Sequence, residues 1–432
     1  MNVFTCSPHN SGTLRIAALY LLGALFALGP LNSKVLGAAW LFFWVWVFWI
    51  VFKTRHTSSP TQTISSTAAS VWVTSCIISL VLAGICAFVW AEEVGSLNAQ
   101  LRLLLPAAAA LAIIRRGGLS AQVCTGIFHV LALACVIAFA WTAFLTIQGT
   151  VRYSLASNAI PWAVAISFYP CLLLPRALQE KNSARQRWIW LFGTACGIGA
   201  VLLSQSRGAF LIIPWCCLVY AWFWYRKCTR RISFYQTLLA LISMAAVLLT
   251  CSWFAPGDAF RIRQAAQEIK EVQTSENYNS STGARLYLWA MAWEGIQQSP
   301  WLGIGGAERL RRIQHAGEDG SKEEFAKLAT VRELGHVHNQ YLHSAWDGGL
   351  IELAALLSLF IGMAIAVRRL APVDSVAAWQ LGGVLFMHAT SNLSNVNFAH
   401  NYYAVALSLA TVIPLLTARR SATATQGISS TS

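Results

Sequence analysis

Three short polar segments of this chain hold the residues best suited to chemistry. The first is SQSRG, in which Arg207 stands between two apolar stretches. The second is STGARLYLWAMAW, which contains Arg285. The third is HVHNQ, where His336 and His338 come just before another apolar stretch. A guanidinium group binds phosphate through paired, charge-assisted hydrogen bonds, and an imidazole can take a proton from an attacking hydroxyl near neutral pH.

Each segment also has an ordinary structural interpretation. Arg207 could extend its charge to lipid headgroups, and Arg285 could lie on the solvated side of an amphipathic helix. Against this, Gln205 and the serines on either side of it add hydrogen-bond donors beside Arg207, and Gly208 would let a ligand approach the backbone. The two histidines could equally be packed in a core or contact headgroups.

A metal site is a further alternative for the histidines, four of which fall between residues 315 and 343. His336 and His338 could share a face only on extended chain. The sequence has no Asp-x-Asp pair of the kind that holds a divalent cation in sugar-nucleotide transferases. We therefore expect neither a metal nor another cofactor.

The elements that position these residues are predicted to be membrane helices. Hydrophobic residues make up 56% of the 432 residues and charged residues only 11%, whereas soluble domains have about 25% charged residues. Apolar runs of about 18–22 residues, each long enough to cross a bilayer, recur along the chain. We expect an all-α polytopic membrane protein with spans near 14–29, 35–52, 71–89, 101–114, 123–147, 158–175, 188–205, 208–225, 233–254, 343–367, 376–394 and 398–416.

The basic residues predict the orientation of these twelve spans. With the N-terminus inside, the cytoplasmic segments hold 17 of the 31 basic residues and only two of the 17 acidic ones. The high isoelectric point therefore reflects topology and does not indicate nucleic-acid binding. Both termini should be cytoplasmic, including the tail at 419–432, and the first helix should remain uncleaved.

One long polar loop, residues 255–342, separates spans 1–9 (within 1–254) from spans 10–12 (within 343–418), and the topology places it in the periplasm. A capping box of Ser321 and Glu324 predicts a short helix. Helical spacing of Leu286, Trp289, Ala290 and Trp293 after Thr282 predicts another helix, and PWLGIGG predicts a turn between two helices. We expect a helical periplasmic cap.

The combination of motifs resembles the O-antigen ligase family, whose superfamily includes O-antigen polymerases and protein O-oligosaccharyltransferases. The motifs are SQSRGAFL, GARLYLW and GHVHNQYLHSAWDGGL, within about 204–210, 283–293 and 335–350. The architecture of about twelve spans with one dominant late loop is similar over the whole chain. The family pattern has a Gly-x-x-Gly-like element after His-Asn; Gly349 has the right spacing, whereas Glu352 occupies the last position.

The resemblance implies a membrane-embedded glycosyltransferase that acts on lipid-linked sugars. A glycan would pass from undecaprenyl pyrophosphate to a sugar hydroxyl of lipid A–core, at the periplasmic face of the bacterial inner membrane, with inversion and without a metal. By motif, Arg207 and Arg285 would bind the pyrophosphate and His338 would orient or deprotonate the acceptor hydroxyl. Residues that could support them are Gln205, His336 and Asn339.

Three other functions fit parts of the pattern. A polysaccharide polymerase would use the same donor with a second lipid-linked glycan as acceptor. A protein O-oligosaccharyltransferase is less favoured, because such enzymes usually carry further C-terminal mass. A flippase or transporter commonly has ionisable residues at mid-bilayer and internal repeats, whereas no Asp, Glu or Lys lies in the middle of a predicted span here.

Overall fold

The computed structural model of the protein describes residues 63–116, 121–149, 158–180, 182–227 and 262–418, together with Trp40 and Val45. The spans predicted at 14–29, 35–52 and 233–254 lie outside this part of the chain, apart from those two residues. All regular elements within the described ranges are helices, as predicted.

Nine helices form the bundle in the described ranges, and each coincides with a predicted span. They are α1 (Thr63–Val89), α2 (Asn98–Arg115), α3 (Ala121–Ile147), α4 (Ala159–Ala177), α5 (Ala184–Leu203), α6 (Ile212–Lys227), α12 (Gln340–Leu370), α13 (Ser375–Ser391) and α14 (Asn401–Thr417). Between α6 and α12 lie α7 (Ile262–Ser275), α8 (Ser281–Gln298), α9 (Gly306–Gln314), α10 (Lys322–Ala326) and α11 (Ala329–Arg332).

Helices α1 to α6 and α12 supply seven stretches long and apolar enough to cross a membrane in the described ranges. Helix α14 is apolar but has only 17 residues. The fourth predicted span, expected to be short, is an 18-residue helix that contains Pro106. The chain is therefore a multi-pass helical membrane protein, and the total of twelve spans stays a prediction.

Helix α4 lies at the centre of the bundle. In its most apolar window 89% of the residues are buried, against 17–39% in the other six stretches. A helix that is apolar on all sides is expected in such a position. It packs against α5, α13 and α14, so the loops at its N-terminal end lie close to the loops that leave those helices.

The turn between α5 and α6 is short, as predicted, and contains a single turn of 3-10 helix at Arg207–Ala209. Within the described residues α5 packs on α3 and α4, α6 packs mainly on α4, and the two helices hardly contact each other. The turn therefore packs against the N-terminal end of α4, and it does not merely connect two helices that pack on each other.

Helices α7 to α11 form a helical region with its own apolar cluster, whose members include Ala284, Leu288, Ala292, Val331 and Val337. This confirms the predicted helical character of residues 262–339, the capping box at the start of α10 and the turn at PWLGIGG. Whether the region is a periplasmic cap stays a prediction.

The buried face of α8 differs from the predicted one. The helix begins at Ser281, before the expected Thr282, and is capped by Ser280. Ala290 is exposed and Trp293 is 58% exposed, whereas Leu288 is fully buried. The buried face also contains the small residues Ala284 and Ala292, and packing against α12 outweighed the predicted stripe of larger side chains.

Helix α12 is broken at Gly349, which has φ 63° and ψ −156°. The segment PWLGIGG lies along the break: Leu350 N–H donates to the Pro300 carbonyl at 2.8 Å, and Ile304 N–H donates to the Trp346 carbonyl at 2.9 Å. A Cβ at Gly349 would stand 2.3 Å from the Trp301 carbonyl carbon. Only glycine suits this left-handed conformation and close approach.

Candidate active site

His338 stands directly before the start of α12. Asn339 caps the helix, because its side-chain oxygen accepts the N–H groups of Tyr341 at 3.0 Å and Leu342 at 3.2 Å. Asn is among the best residues at this position. His338 itself has φ 53°, a left-handed conformation that is uncommon for residues other than glycine. Such strain persists only where the surroundings hold it, and it is concentrated at functional sites.

His336 and His338 lie against each other, with ring centroids 4.3 Å apart in an edge-to-face arrangement. Burial lowers the pKa of His338 to about 3, with contributions from the charges of His336 and Arg285, while the Asn395 side chain, which favours the charged ring, acts to raise it. Burial also lowers the pKa of His336 to about 4, with contributions from His400 and from arginines that include Arg285. Both rings are therefore neutral at pH 7.

Neutral imidazoles can accept a proton. The Nδ1 atoms of His336 and His338 are buried and have no hydrogen-bond partner within the described ranges. A buried nitrogen without a partner is unfavourable in itself. Arg285 acts electrostatically on both rings, so the predicted proton acceptor and one of the two predicted anion-binding groups share one site.

The Arg207 turn is built differently from the prediction. The Ser204 hydroxyl donates to the Val201 carbonyl at 2.6 Å, and the Ser206 hydroxyl donates to the Ala159 carbonyl at 3.1 Å. Both serines are almost completely buried, so the expectation that they offer donors to a ligand is wrong. Ser206 binds the turn to the start of α4 and Ser204 bonds within α5, while Arg207 remains exposed.

Gly208 also has a different role from the one expected. A Cβ at this position would lie 2.6 Å from the Ser394 hydroxyl. The backbone is approached closely by the loop after α13 rather than by a ligand. Gln205, with φ 53°, takes the left-handed conformation that reverses the chain in this turn.

The loop after α13, residues 391–400, connects the Arg207 turn with the histidines. Ser394 lies beside Gly208, and the side chain of the next residue, Asn395, acts on the pKa of His338. The loop is anchored to α12, because Gln340 N–H donates to the Asn392 carbonyl at 2.8 Å. The three predicted residues are thus linked: Arg285 acts directly on His338, and Arg207 is on a turn that packs against the loop that carries Asn395.

This loop is the part of the site that sequence reasoning missed. Asn392, Asn395 and Asn397 are fully buried in a network in which Asn397 Nδ2 donates to Asn392 Oδ1 at 2.7 Å. At the end of the loop, burial lowers the pKa of His400, and the His400 charge acts on His336. The signal was present as SNLSNVNFAHN between two apolar stretches, where so many amides are unusual.

The four histidines of the alternative metal site are not equivalent in the structure. His315 is on the surface, with Nδ1 2.7 Å from Glu318 Oε2, whereas His343 lies in α12, with Nε2 3.6 Å from Asp347 Oδ2. In the part of the chain that the structure describes, no three His, Cys, Asp or Glu side chains are grouped as metal ligands.

The fold and this site define a multi-pass helical membrane protein whose polar centre is built from the ends of several helices. The family model described as O-antigen ligase matches residues 192–370. The matched segment confirms the resemblance to the O-antigen ligase family, and it contains Arg207, Arg285, His336 and His338.

Two relatives match parts of the chain. An uncharacterized protein of Haemophilus influenzae is 28% identical over 177 residues, which are 40% of this chain and 42% of the relative. A general O-oligosaccharyltransferase of Acinetobacter baylyi is 33% identical over 134 residues, which are 30% of this chain and 22% of that protein. The matches thus span less than half the length of either relative.

Proposed function

We propose that this chain is an O-antigen ligase: a glycosyltransferase that moves a glycan from undecaprenyl pyrophosphate to a sugar hydroxyl of lipid A–core. The observation that carries the proposal is the pair of neutral, buried imidazoles in the electrostatic field of Arg285, inside the segment that matches the O-antigen ligase family. The proposed location is the periplasmic face of the bacterial inner membrane, with both termini in the cytoplasm.

The proposed reaction is a single displacement at the anomeric carbon of the donor. The acceptor oxygen forms a bond to that carbon while the bond from the carbon to the phosphate oxygen breaks, and the configuration inverts. His338 takes the acceptor proton, and undecaprenyl pyrophosphate leaves with the bonding electron pair. General base catalysis of this kind contributes about 10²–10⁴-fold in rate.

Two arginines would stabilise the leaving group. Negative charge grows on the pyrophosphate as the glycosidic bond breaks, and guanidinium groups bind phosphate oxygens with a fixed, bidentate geometry. Removing one preorganised donor from a developing anion typically costs about 3–4 kcal/mol. Arg285 is supported by its action on the His338 ring, and Arg207 by the packing of its turn on the loop that carries Asn395, which also acts on that ring. Because the donor is already activated, the reaction as proposed needs neither ATP nor a metal.

The similarity to a general O-oligosaccharyltransferase favours a second candidate with the same donor chemistry. In that case the attacking hydroxyl belongs to a protein serine or threonine. The proton acceptor and the pyrophosphate site would be unchanged, so only the acceptor distinguishes the two functions.

The test is transfer by purified protein in lipid nanodiscs with an undecaprenyl-pyrophosphate glycan as donor. Three acceptors are supplied in parallel: lipid A–core, a serine-containing acceptor protein and further donor alone. Extension of lipid A–core supports the ligase, and glycosylation of the protein supports the second candidate. Growth of the lipid-linked glycan itself indicates a polymerase, and no product with any acceptor refutes the proposal.

Matched variants connect the activity with the site. Arg207→Ala, Arg285→Ala and His338→Ala should each reduce transfer by at least about 100-fold. Arg311→Ala and His315→Ala should retain it, because both side chains are on the exposed surface of the helical region, each paired with a glutamate. Wild-type rates in both Arg207→Ala and Arg285→Ala would remove the proposed pyrophosphate site.

A further inference from the structure

A cavity of about 390 Å³ lies beside the histidine site, between α1, the 94–100 segment and the first turns of α12. Its size is in the range of small-molecule sites. The wall is mostly polar and includes Glu92, Gln100, Arg309, Gln340, His343 and Glu352. None of these residues was assigned a role from the sequence motifs.

The charges on the wall do not suit an anion. Arg309 is the one arginine or lysine among the described wall residues, and its Nε lies 2.6 Å from Asp347 Oδ1 in a largely buried ion pair. Arg309 also donates to the Gly335 carbonyl. Glu92 adds a further carboxylate, and Glu352 adds a carboxyl group. A pyrophosphate in this cavity would meet net negative charge, so the cavity is separate in function from the arginine side of the site.

Acceptors of hydrogen bonds are in excess on the same wall. The Gln100 side-chain oxygen and His343 Nδ1 are buried, and neither has a hydrogen-bond partner in the ranges described. Buried polar atoms are nearly always satisfied, so each exception needs a cause. Carboxylate and amide oxygens accept hydrogen bonds from hydroxyl groups. The ligand that would satisfy this wall is uncharged and rich in hydroxyls, which is the chemistry of a neutral sugar.

The loop at residues 391–400 connects the cavity with the residues proposed to carry out the reaction. In chain order, Ser394 lies against the Arg207 turn, Asn395 acts on His338, and Phe398 lines the cavity. Phe398 N–H donates to the Gln340 side-chain oxygen at 3.1 Å, which holds this end of the loop to α12. One loop therefore connects His338 with both the arginine turn and the wall of the cavity.

We propose that this cavity is the acceptor subsite, in which the neutral sugar of lipid A–core that carries the attacking hydroxyl is held by hydrogen bonds to Glu352, Glu92 and Gln100. The proposal rests on the proposed function and names the substrate group that this part of the site binds. The leaving pyrophosphate would lie on the opposite side of the anomeric carbon from the acceptor hydroxyl, as inversion requires.

The kinetic test compares Glu352→Gln and Glu92→Gln with wild type in nanodiscs. Each change keeps the size of the side chain: Glu92→Gln removes the charge of an acceptor, and Glu352→Gln replaces an oxygen of a carboxyl group with an amide nitrogen. Loss of one such hydrogen bond should raise the KM for lipid A–core about three- to tenfold or more, with the donor KM within about twofold of wild type. Glu271→Gln, a change on the exposed face of α7, is the control and should leave both constants unchanged.

Two kinetic outcomes would overturn the assignment: an unchanged acceptor KM in both variants, or a rise in the donor KM alone, which would make the cavity a donor-sugar subsite.

A second measurement is independent of turnover. The core oligosaccharide freed of its lipid is titrated into the wild-type protein and into Glu352→Gln by calorimetry, without donor. Binding that weakens about tenfold in the variant supports the subsite, and equal binding or none by wild type refutes it. If no transfer occurs with any acceptor, the proposed function fails, while the titration still decides whether the cavity binds sugar.

Discussion

Donor binding should change the pH at which His338 becomes protonated, and this predicts two different pH dependences for one enzyme. In the free protein the pKa of His338 is lowered to about 3 by burial and by nearby positive charge. An ordinary histidine has a pKa of about 6.5. Protonating His338 at pH 7 then costs about 5 kcal/mol, from about 1.4 kcal/mol for each of four pH units.

The donor supplies charge of the opposite sign. A phosphate charge about 6 Å from the ring contributes about 3 kcal/mol at an effective dielectric constant of about 20, so the two charges of a pyrophosphate could offset about 5–6 kcal/mol. The pKa of His338 would thereby return toward neutrality when donor is bound. The base is thus weak in the empty site and becomes effective only beside its substrate.

The sign of the effect follows from the need for a neutral base. In free enzyme His338 stays neutral at every pH well above 3, so kcat/KM for the donor should show no loss from this group between pH 8 and 5. In the donor complex the raised pKa means that acid protonates the ring, and kcat should fall as the pH drops below neutrality. The first quantity reports the free enzyme and the second the complex.

The assay is the initial rate of glycan transfer from pH 5 to 8.5, at saturating and at limiting donor. His338→Gln should lose about 10²–10⁴-fold in kcat, and its residual rate should lack the acid limb. His315→Gln, on the exposed surface, should keep the wild-type profile. The reasoning is refuted if kcat/KM already falls near pH 6.5, or if the acid limb of kcat survives in His338→Gln.

Three further predictions concern how the site is held, each measured as the change in denaturant or thermal midpoint in detergent. Gly349→Ala should destabilise by at least about 1–3 kcal/mol, since it forces a side chain into left-handed φ against the Trp301 backbone; an unchanged midpoint would contradict the break in α12. Arg309→Gln and Asp347→Asn should each lower the free energy of unfolding by about 3–5 kcal/mol, because the ion pair is largely buried. The double variant should lose less than the sum of the two single losses. Strict additivity would mean that the two side chains do not interact. Asn339→Ala should cost about 1 kcal/mol through loss of the helix cap; an equal loss in Asn339→Ser, which keeps a capping oxygen, would point to another cause.

Local features of the chain were predictable because they depend on neighbouring residues. Apolar runs located every helix of the bundle that the structure describes, since length and hydropathy are properties of a segment by itself. The same holds for the capping box that starts α10, which needs only Ser321 and Glu324, and for the turn at PWLGIGG. The resemblance to the O-antigen ligase family came from three short motifs and was confirmed over residues 192–370.

What the sequence could not decide depends on contacts between distant segments. The buried face of α8 was set by its packing on α12, which left the large side chain of Trp293 exposed. The sequence suggested the serines beside Arg207 as donors to a ligand, whereas the Ser206 hydroxyl bonds to the start of α4 and the Ser204 hydroxyl bonds within α5. Asn395 and His400 joined the site only because α13 and α14 bring their connecting loop to the start of α12. Side-chain type and spacing determine which chemistry is available to the chain. Burial, pKa and hydrogen-bond partners arise from residues far apart in the sequence, so only the folded arrangement decides which side chains can carry out that chemistry.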